Sequence, residues 1–548
     1  MLLAATAAMA CTNFIVGKKA SKDGSVICSY SADNYGMFTG LRHQPAAHHQ
    51  KGDMRQIYDW DTNKYLGEIP EAEETYNTIG NINEWQVTIG ETTFGGREEM
   101  VDTTGTIDYG SLIYIALQRS KTAREAIQVM TTLAEQYGYC SEGETFTICD
   151  PEEAWIMEMM GAWMPDSVKA TLKPAARKQL GRTVWVALRI PDDMICGHAN
   201  QSRITTFDMK DKTGGVLFSK NVVSYARQMG WFEGSDEEFS YNAAYAAPTF
   251  EGRRICDARV WSFFNRFTEG MERYLPWAEG HDKQAEPMPL WVKPGRLLTV
   301  ADVEEAMRDH FENTPFSLDQ DMGGGIWEMP YRPTPLYFEV DGKKYFNERP
   351  VSTQQAGFVY VSQMRSWMPR QVGGCFWFAN DDGNMVPFTP VYCCATEAPR
   401  PYNTPGADEL HFSMDNAYWV QNWVSNMVYP RYSVLFPSLK QVRDSLDQSY
   451  FKAQKEVEDR AMTLDEQART KFLTAYTAEK AGQMLTRWQQ LAFYLIVKYN
   501  DMISKPEENG QFTRTKYGLG AKVVRPGYPV RYGRDLIRQT GTKFELPQ

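Results

Sequence analysis

Two short β-like runs open the chain: Thr12 to Ser21 and Val26 to Asp33, with Lys22-Asp23-Gly24-Ser25 between them. An Asp-Gly pair between such runs predicts a hairpin. Pairing Lys22 with Ser25 sets Phe14 opposite Asp33. Asp33 then lies about three residues along the strand from Cys11, roughly 10 Å away. From Lys121 to Tyr137 the period changes. Apolar residues at 123, 126, 127, 130, 133, 134 and 137 recur at helical spacing, and Gly138 follows as a stop. An amphipathic helix of this kind covers a sheet. Further strands are predicted over 145–149, 154–159 and 184–190, which makes a layered α+β core. Proline-rich stretches at 285–294 and 329–335 predict loops. Beyond Asp408 the pattern turns helical. Thr463-Leu464-Asp465-Glu466 predicts a capping-box start, and Phe472, Leu473, Tyr476, Met484, Trp488, Leu491 and Leu495 follow helical spacing. Residues 401–504 are therefore expected to be a helical extension, with a Gly/Arg-rich tail beyond it. Its role is either packing on the core or shaping the substrate pocket.

Composition narrows the class. The chain has 548 residues, of which 43% are apolar and 13% aromatic, so it can bury a large core. Its net charge is −11 and it has no basic cluster to track a phosphate backbone, so nucleic acid is not an expected partner. No stretch of 18 apolar residues follows the start; Leu491 to Val497 is a core-sized run, and no membrane span is expected. The nine cysteines are scattered without C-x-x-C spacing, which argues against a zinc site. Their odd number leaves at least one thiol free if the chain is exported. The seven histidines form no H-E-x-x-H, and G-x-S-x-G and Walker patterns are absent. No metal and no organic cofactor are expected. A papain-like pair with His198 as base has no local signature behind it.

The first ten residues, Met-Leu-Leu-Ala-Ala-Thr-Ala-Ala-Met-Ala, resemble the apolar stretch and small-residue end of a signal peptide, without its charged lead. Cleavage after Ala10 would leave Cys11 at the amino terminus. That changes the chemistry. An α-amino group has a pKa of about 7.7–8.0 and is a usable base near neutral pH. A thiol needs such a base to become thiolate. One residue then carries both nucleophile and base. Two other readings of Cys11 stay open from the residues alone. It is an ordinary buried cysteine, or it is the lipidated cysteine of a lipoprotein, although Ala8 stands where a lipobox favours Leu.

Several blocks in order decide between these. Cys11-Thr12-Asn13-Phe14-Ile15-Val16-Gly17 with Asp23-Gly24-Ser25 and Asp33 comes first, then Asn83-Glu84-Trp85-Gln86 running to Glu91-Thr92-Thr93. Gly143-Glu144-Thr145-Phe146 with Asp150-Pro151, and His198-Ala199-Asn200-Gln201-Ser202-Arg203-Ile204, follow. Arg253-Arg254-Ile255, Arg365-Ser366-Trp367-Met368-Pro369 and Gly373-Gly374 complete the set. This series, over about residues 11–395, resembles the dipeptidase A-type cysteine peptidases. Those are N-terminal-nucleophile (Ntn) hydrolases related to bile-salt hydrolases and penicillin V acylases.

The resemblance implies a four-layer αββα sandwich over residues 11–400, a leader over 1–10 and a mostly helical extension over 401–548. It implies hydrolysis of dipeptides with a free amino terminus, in a secreted or periplasmic protein, with Cys11 as nucleophile. It implies that Asp33 holds the Cys11 amine, that Asn200 contacts the oxyanion, and that Arg254 neighbours the nucleophile. Glu91 and Thr92 fall where relatives carry an oxyanion-hole asparagine, so Thr92 or a backbone N–H inherits that duty. Tyr30 departs from the arginine that relatives often carry three residues before the aspartate. The free substrate amine needs an acidic partner, for which Asp33 and Glu91 are the candidates. Short peptides are the expected partners, and homo-oligomerisation is left open. The rival readings are an N-acyl amide hydrolase on the same fold and a non-enzymatic surface lipoprotein that binds glycans or peptides.

Overall fold

A computed structural model describes residues 11–177, 180–334 and 336–547; the predicted leader, residues 1–10, lies outside them. The elements that build the site begin with strands β1 (Asn13–Val16), β2 (Val26–Asp33) and β3 (Thr88–Gly95). Helices α1 (Tyr109–Arg119) and α2 (Ala123–Tyr137) follow. Strands β4 (Gly143–Cys149), β5 (Ala154–Gly161), β6 (Thr183–Arg189) and β7 (Ile195–His198) come next. Helix α3 spans Ala258–Phe267, and strands β8 (Ala356–Met364), β9 (Cys375–Asn380) and β10 (Thr389–Tyr392) close the β part. Helices α4 (Ala417–Val428), α5 (Tyr432–Met462) and α6 (Glu466–Tyr499) finish the body of the chain.

Two antiparallel sheets carry the strands. One runs in the order Trp291–Val292, β7, β1, β2, β8, β9, β10; the other runs Val216–Phe218, β6, β5, β4, β3 and on into three two-residue strands. Helices α1 and α2 share an apolar cluster with β3, β4 and β5, built from Leu112, Ile115, Ile127 and Met130 against Ile89, Ile148 and Trp155. Sequence set the ends of α2 well. Thr122 caps it through the Glu125 N–H, and Gly138 ends it at φ 77°, a conformation that favours glycine.

The sheets meet closely where β3 crosses β1, β2 and β8. A Cβ on Gly90 would stand 2.3 Å from Asn13 Oδ1. Only glycine permits that approach. It lets Asn13 Nδ2 donate to the Glu91 carbonyl at 2.7 Å and Tyr360 to the Ile89 carbonyl at 3.1 Å. These bonds lock the two sheets in one register beside Cys11.

The opening hairpin forms, but not in the predicted register. Ile15 pairs with Cys28 and Val16 with Ile27. The chain leaves the strand at Gly17, where Lys19 and Ala20 donate to the Asp192 carbonyl and Ser21 bridges to Leu298. The connection is therefore a long loop tied to neighbouring segments, and Asp-Gly is not its tight turn. The four-residue shift brings Asp33 next to Cys11 instead of three residues away.

The C-terminal region is helical as expected, and it is not a separate body. Helices α4 to α6 bury Val424, Leu439, Leu473 and Trp488 in the same cluster as Phe376 and Val391 of the seven-stranded sheet. Thr463 ends α5, and Asp465 caps α6 by accepting from the Ala468 N–H, so that helix starts two residues later than the capping-box reading placed it. All nine cysteines are free thiols. Among the described residues no helix is long and apolar enough to cross a membrane.

Two buried ion pairs stitch these helices to the sheet. Arg365 after β8 bonds both oxygens of Glu458 on α5, at 2.9 and 2.7 Å. Arg308 bonds Asp447 at 2.7 Å. Removing one partner of such a pair strands the other charge, at a cost of about 3–5 kcal/mol. Glu458→Ala is accordingly expected to lower unfolding stability by that amount in a denaturant titration. Replacing both Arg365 and Glu458 by apolar residues of similar size is expected to recover most of it.

Candidate active site

Cys11 sits at the head of β1, fully buried, where β1, β2 and β3 converge. Its thiol is 3.5 Å from Glu91 Oε1 and 3.8 Å from the Tyr30 hydroxyl. Burial pushes the thiol well above its ordinary pKa, and the nearby Glu91 and Asp33 carboxylates push it further. With Cys11 inside the chain the sulfur is therefore held neutral. Asp33 is buried against Arg349 and accepts from Ser31 at 3.1 Å, while its Oδ1 has no donor among the described residues. Burial raises the Asp33 carboxyl, and Arg349 works against that.

One guanidinium organises the other side. Arg259 Nη1 donates to the Cys11 carbonyl at 2.7 Å and to Thr12 Oγ1 at 2.8 Å. Its Nη2 reaches the Ala199 carbonyl at 3.3 Å and Asn200 Oδ1 at 3.1 Å. Asn200 in turn donates to the Thr93 carbonyl at 2.8 Å. The backbone of Asn200 is left-handed, φ 56°, a conformation that Asn tolerates better than most residues. It lies in a loop braced from below by Glu158, which accepts the Arg203 N–H at 2.6 Å, the Ile204 N–H at 3.0 Å and the Ser202 hydroxyl.

The structure thus brings Cys11, Asp33, Glu91 and Asn200 together. It does not bring Arg254 with them. Arg254 pairs with Glu348 and lies 4.6 Å over the Phe316 ring. The guanidinium at the nucleophile belongs to Arg259. A π-helical stretch over Gly252–Asp257 precedes α3, and the two arginines reach different partners, Arg254 to Glu348 and Arg259 to the Cys11 carbonyl. Thr92 is also placed elsewhere. Its hydroxyl bonds His198 Nδ1 at 2.7 Å, and Thr147 bonds the other ring nitrogen at 2.7 Å. Strand alternation turns Thr92 into the space between the sheets, and Thr93 is the neighbour that faces solvent. His198, clamped between hydroxyls and held well below its usual pKa by burial, is neutral.

Three contributors escaped the sequence. Tyr30, noted in the sequence only as a departure from the family pattern, donates to Glu91 Oε1. Arg349, the partner of Asp33, lies in a loop with no local signal. Glu144 is buried beside Glu91. A charged residue inside the apolar strand Gly-Glu-Thr-Phe-Thr-Ile-Cys was its only signal, because carboxylates are almost never fully buried without a partner.

Two cavities open here. A water-sized void of about 30 Å³ is lined by Cys11, Tyr30, Asp33, Trp60 and Asn81. A cleft of about 950 Å³ reaches Asn200 and Arg259 and carries the carboxyl groups of Asp59, Asp61, Glu142 and Glu144 on its wall. Tyr109 lines both. The arrangement offers a thiol nucleophile, polar donors around it and an acidic approach. Among the described residues no group of three or more His, Cys, Asp or Glu is placed to hold a metal ion.

Comparison with known proteins gives the same direction. The model of peptidase family C69 matches residues 10–444. A probable dipeptidase of Salmonella dublin is 23% identical over 408 residues, covering 70% of this chain and 81% of its own length. A probable dipeptidase of Latilactobacillus sakei is 23% identical over 444 residues, 77% of this chain and 82% of its own. Dipeptidase A of Lactobacillus helveticus is 22% identical over 447 residues, 77% and 83%.

Glu158 gives a test of the loop support. Burial raises its carboxyl to about 7, against the pull of the Ser202, Arg203 and Ile204 hydrogen bonds. The folded state therefore binds a proton that the unfolded chain releases nearer pH 4.3. Its stabilising contribution is complete below that lower value and is lost as pH rises through about 7. Glu158→Gln is expected to flatten this part of the stability profile. Melting temperatures of wild type and variant between pH 5 and 8 measure it; parallel curves would refute the assignment.

Proposed function

Because the chain belongs to peptidase family C69, we propose that it is a secreted cysteine dipeptidase whose mature amino terminus is Cys11. The names of its relatives and the thiol-centred site support this reading. The carrying observation is the placement of Cys11 itself, buried at the junction of the two sheets with Asp33, Arg259 and Asn200 around it. The helix–sheet–sheet–helix arrangement fits the four-layer Ntn sandwich.

Removal of the leader turns the Cys11 amide into an amine. Asp33 Oδ1, buried and without a donor, is the acceptor placed for it. The amine takes the thiol proton, and the sulfur attacks the scissile carbonyl. The oxyanion develops within reach of the Asn200 amide, whose loop is already fixed by Glu158. The amine then delivers the proton to the departing amino group, leaving a thioester. Water adds to the thioester, the acid leaves, and the thiol and amine are restored. Arg259 stays on the Cys11 carbonyl throughout and holds nucleophile and loop at a fixed separation.

The acidic wall of the cleft favours an ammonium-bearing dipeptide over an N-acylated amide. Full burial of Cys11 argues against a lipid anchor, which would have to lie at a membrane surface. A substrate panel separates these readings: dipeptides against penicillin V and bile-salt conjugates, on the mature protein.

Cys11→Ala is expected to abolish turnover while leaving the melting temperature near that of wild type. Mass spectrometry of the natural protein is expected to find an unmodified Cys11 as the first residue; a retained leader or an acylated Cys11 would overturn the mechanism. Asn200→Gly keeps the left-handed backbone and deletes the side chain. It is expected to lower kcat by about 10²–10³, the usual cost of losing one preorganised oxyanion donor.

A further inference from the structure

Glu91 on β3 and Glu144 on β4 are diagonal neighbours. Glu91 faces Phe146 across the ladder and Thr93 faces Glu144. Long side chains in such positions reach one another. Both are fully buried, and the charge of Glu91 pushes the Glu144 carboxyl up. Neither Oε2 receives an N–H or O–H from any described residue. Thr93 donates to Glu144 Oε1 at 2.6 Å, and Tyr30 donates to Glu91 Oε1. Two buried carboxylates at diagonal positions do not both ionise, so the pair holds one proton and carries a single negative charge.

The position of this charge is informative. Glu91 Oε1 is 3.5 Å from the sulfur, and Glu144 opens onto the large cleft. In a dipeptide the terminal nitrogen lies about 2.5 Å from the scissile carbonyl carbon, by bond lengths and angle alone. A carbonyl seated for attack by Cys11 therefore puts its ammonium group within hydrogen-bond reach of the pair.

We propose that the Glu91–Glu144 carboxyl pair is the subsite for the substrate's terminal ammonium group, matching its one positive charge with one negative charge. The assignment rests on the dipeptidase reading and adds Glu144, and the shared proton, to it. A fully ionised pair would be a double buried charge, and a doubly protonated pair would offer the ammonium nothing. An N-acylated amide brings no positive charge and gains nothing from it.

The titratable groups that face the pair are Cys11, Tyr30, Asp61, Tyr109, Tyr139, Glu142 and Tyr360, none of them basic. Burial holds Glu144 well above and Glu91 above the ordinary carboxyl range. The second proton is therefore taken up at a higher pH than an isolated Glu would take it. Ammonium binding is present at neutral pH and is lost as pH falls.

The test uses the full mature enzyme, a dipeptide, and the N-acetyl form of the same dipeptide as a competitive inhibitor. Wild type is expected to show a Michaelis constant at least about 10-fold below the inhibition constant of the N-acetyl form. Glu144→Gln is expected to close most of that gap with kcat changed less than KM. A variant that keeps the gap, or that weakens both ligands equally, overturns the proposal. Should Glu144→Gln fail to fold, the wild-type gap is followed from pH 7.5 to 5. Its collapse supports the subsite, and a constant gap overturns it. Hydrolysis of dipeptides with an intact gap sinks the subsite alone. No hydrolysis and no binding of any dipeptide sinks the dipeptidase reading, and the subsite with it.

Discussion

A buried guanidinium that bonds only neutral oxygens is the constraint on which this site depends. Arg259 is fully buried and spends its N–H groups on the carbonyls of Cys11, Ala199 and Ile255 and on the oxygens of Thr12 and Asn200. Taking such a charge out of water is expensive, and burial lowers its pKa to about 10. It stays protonated at neutral pH, and Asp33 nearby supplies part of the compensating charge. In return one rigid fork joins β1, the Asn200 loop and α3. Nucleophile and oxyanion donor sit on segments far apart in sequence, so a flexible or point-like cation would not fix their separation as well.

The electrostatics around Cys11 are tuned against premature reactivity. Burial and two carboxylates keep the thiol neutral. A cationic neighbour is the common way to activate a cysteine, but a tyrosine, Tyr30, stands beside the thiol, and Arg259 faces the carbonyl of Cys11. That leaves the α-amine as the activating base. In the proposed mechanism, peptide-bond cleavage before Cys11 is the chemical switch: the same atoms are inert on one side of it and a nucleophile–base pair on the other. Leader removal would need no rearrangement of the sheets, because the Gly90–Asn13 approach and the Arg259 fork already hold the geometry.

How much of this was legible in the chain depends on the range of the interaction. Helix α2 was visible because its period, its Thr122 cap and its Gly138 stop are all local. The hairpin was visible, but its register was not. Asp23-Gly24 suggested a tight turn, and the tie of Lys19 and Ala20 to Asp192 overrode it. Thr463 looked like a cap, yet Asp465 captures the Ala468 N–H first. Arg254 and Arg259 differ only in helical phase, which the π-helical stretch shifts and no local pattern announces. Glu144 and Arg349 were invisible as site residues, since each acts through a partner brought in by the tertiary fold.

Unmet hydrogen-bonding capacity gathers at the site without being confined to it, since Asp108 and Glu304 also keep a buried carboxylate oxygen without a donor among the described residues. At the helix–sheet interface the buried charges close on one another: Arg365 with Glu458, Arg308 with Asp447. Asp33 and Glu91 beside Cys11, and Glu144 beside Glu91, each keep one carboxylate oxygen without a donor among the described residues. Each such atom costs stability, and folded proteins rarely leave them without a reason. Two of them flank one thiol, and Glu144, which holds the third, lines a cleft of about 950 Å³. Two of the atoms missing from their surroundings are then the nitrogens of the reaction itself: the α-amine of a processed Cys11 against Asp33, and the ammonium of a bound dipeptide against the glutamate pair. The well-packed helices and paired charges elsewhere supply the stability that lets the chain keep buried oxygens unmet beside Cys11.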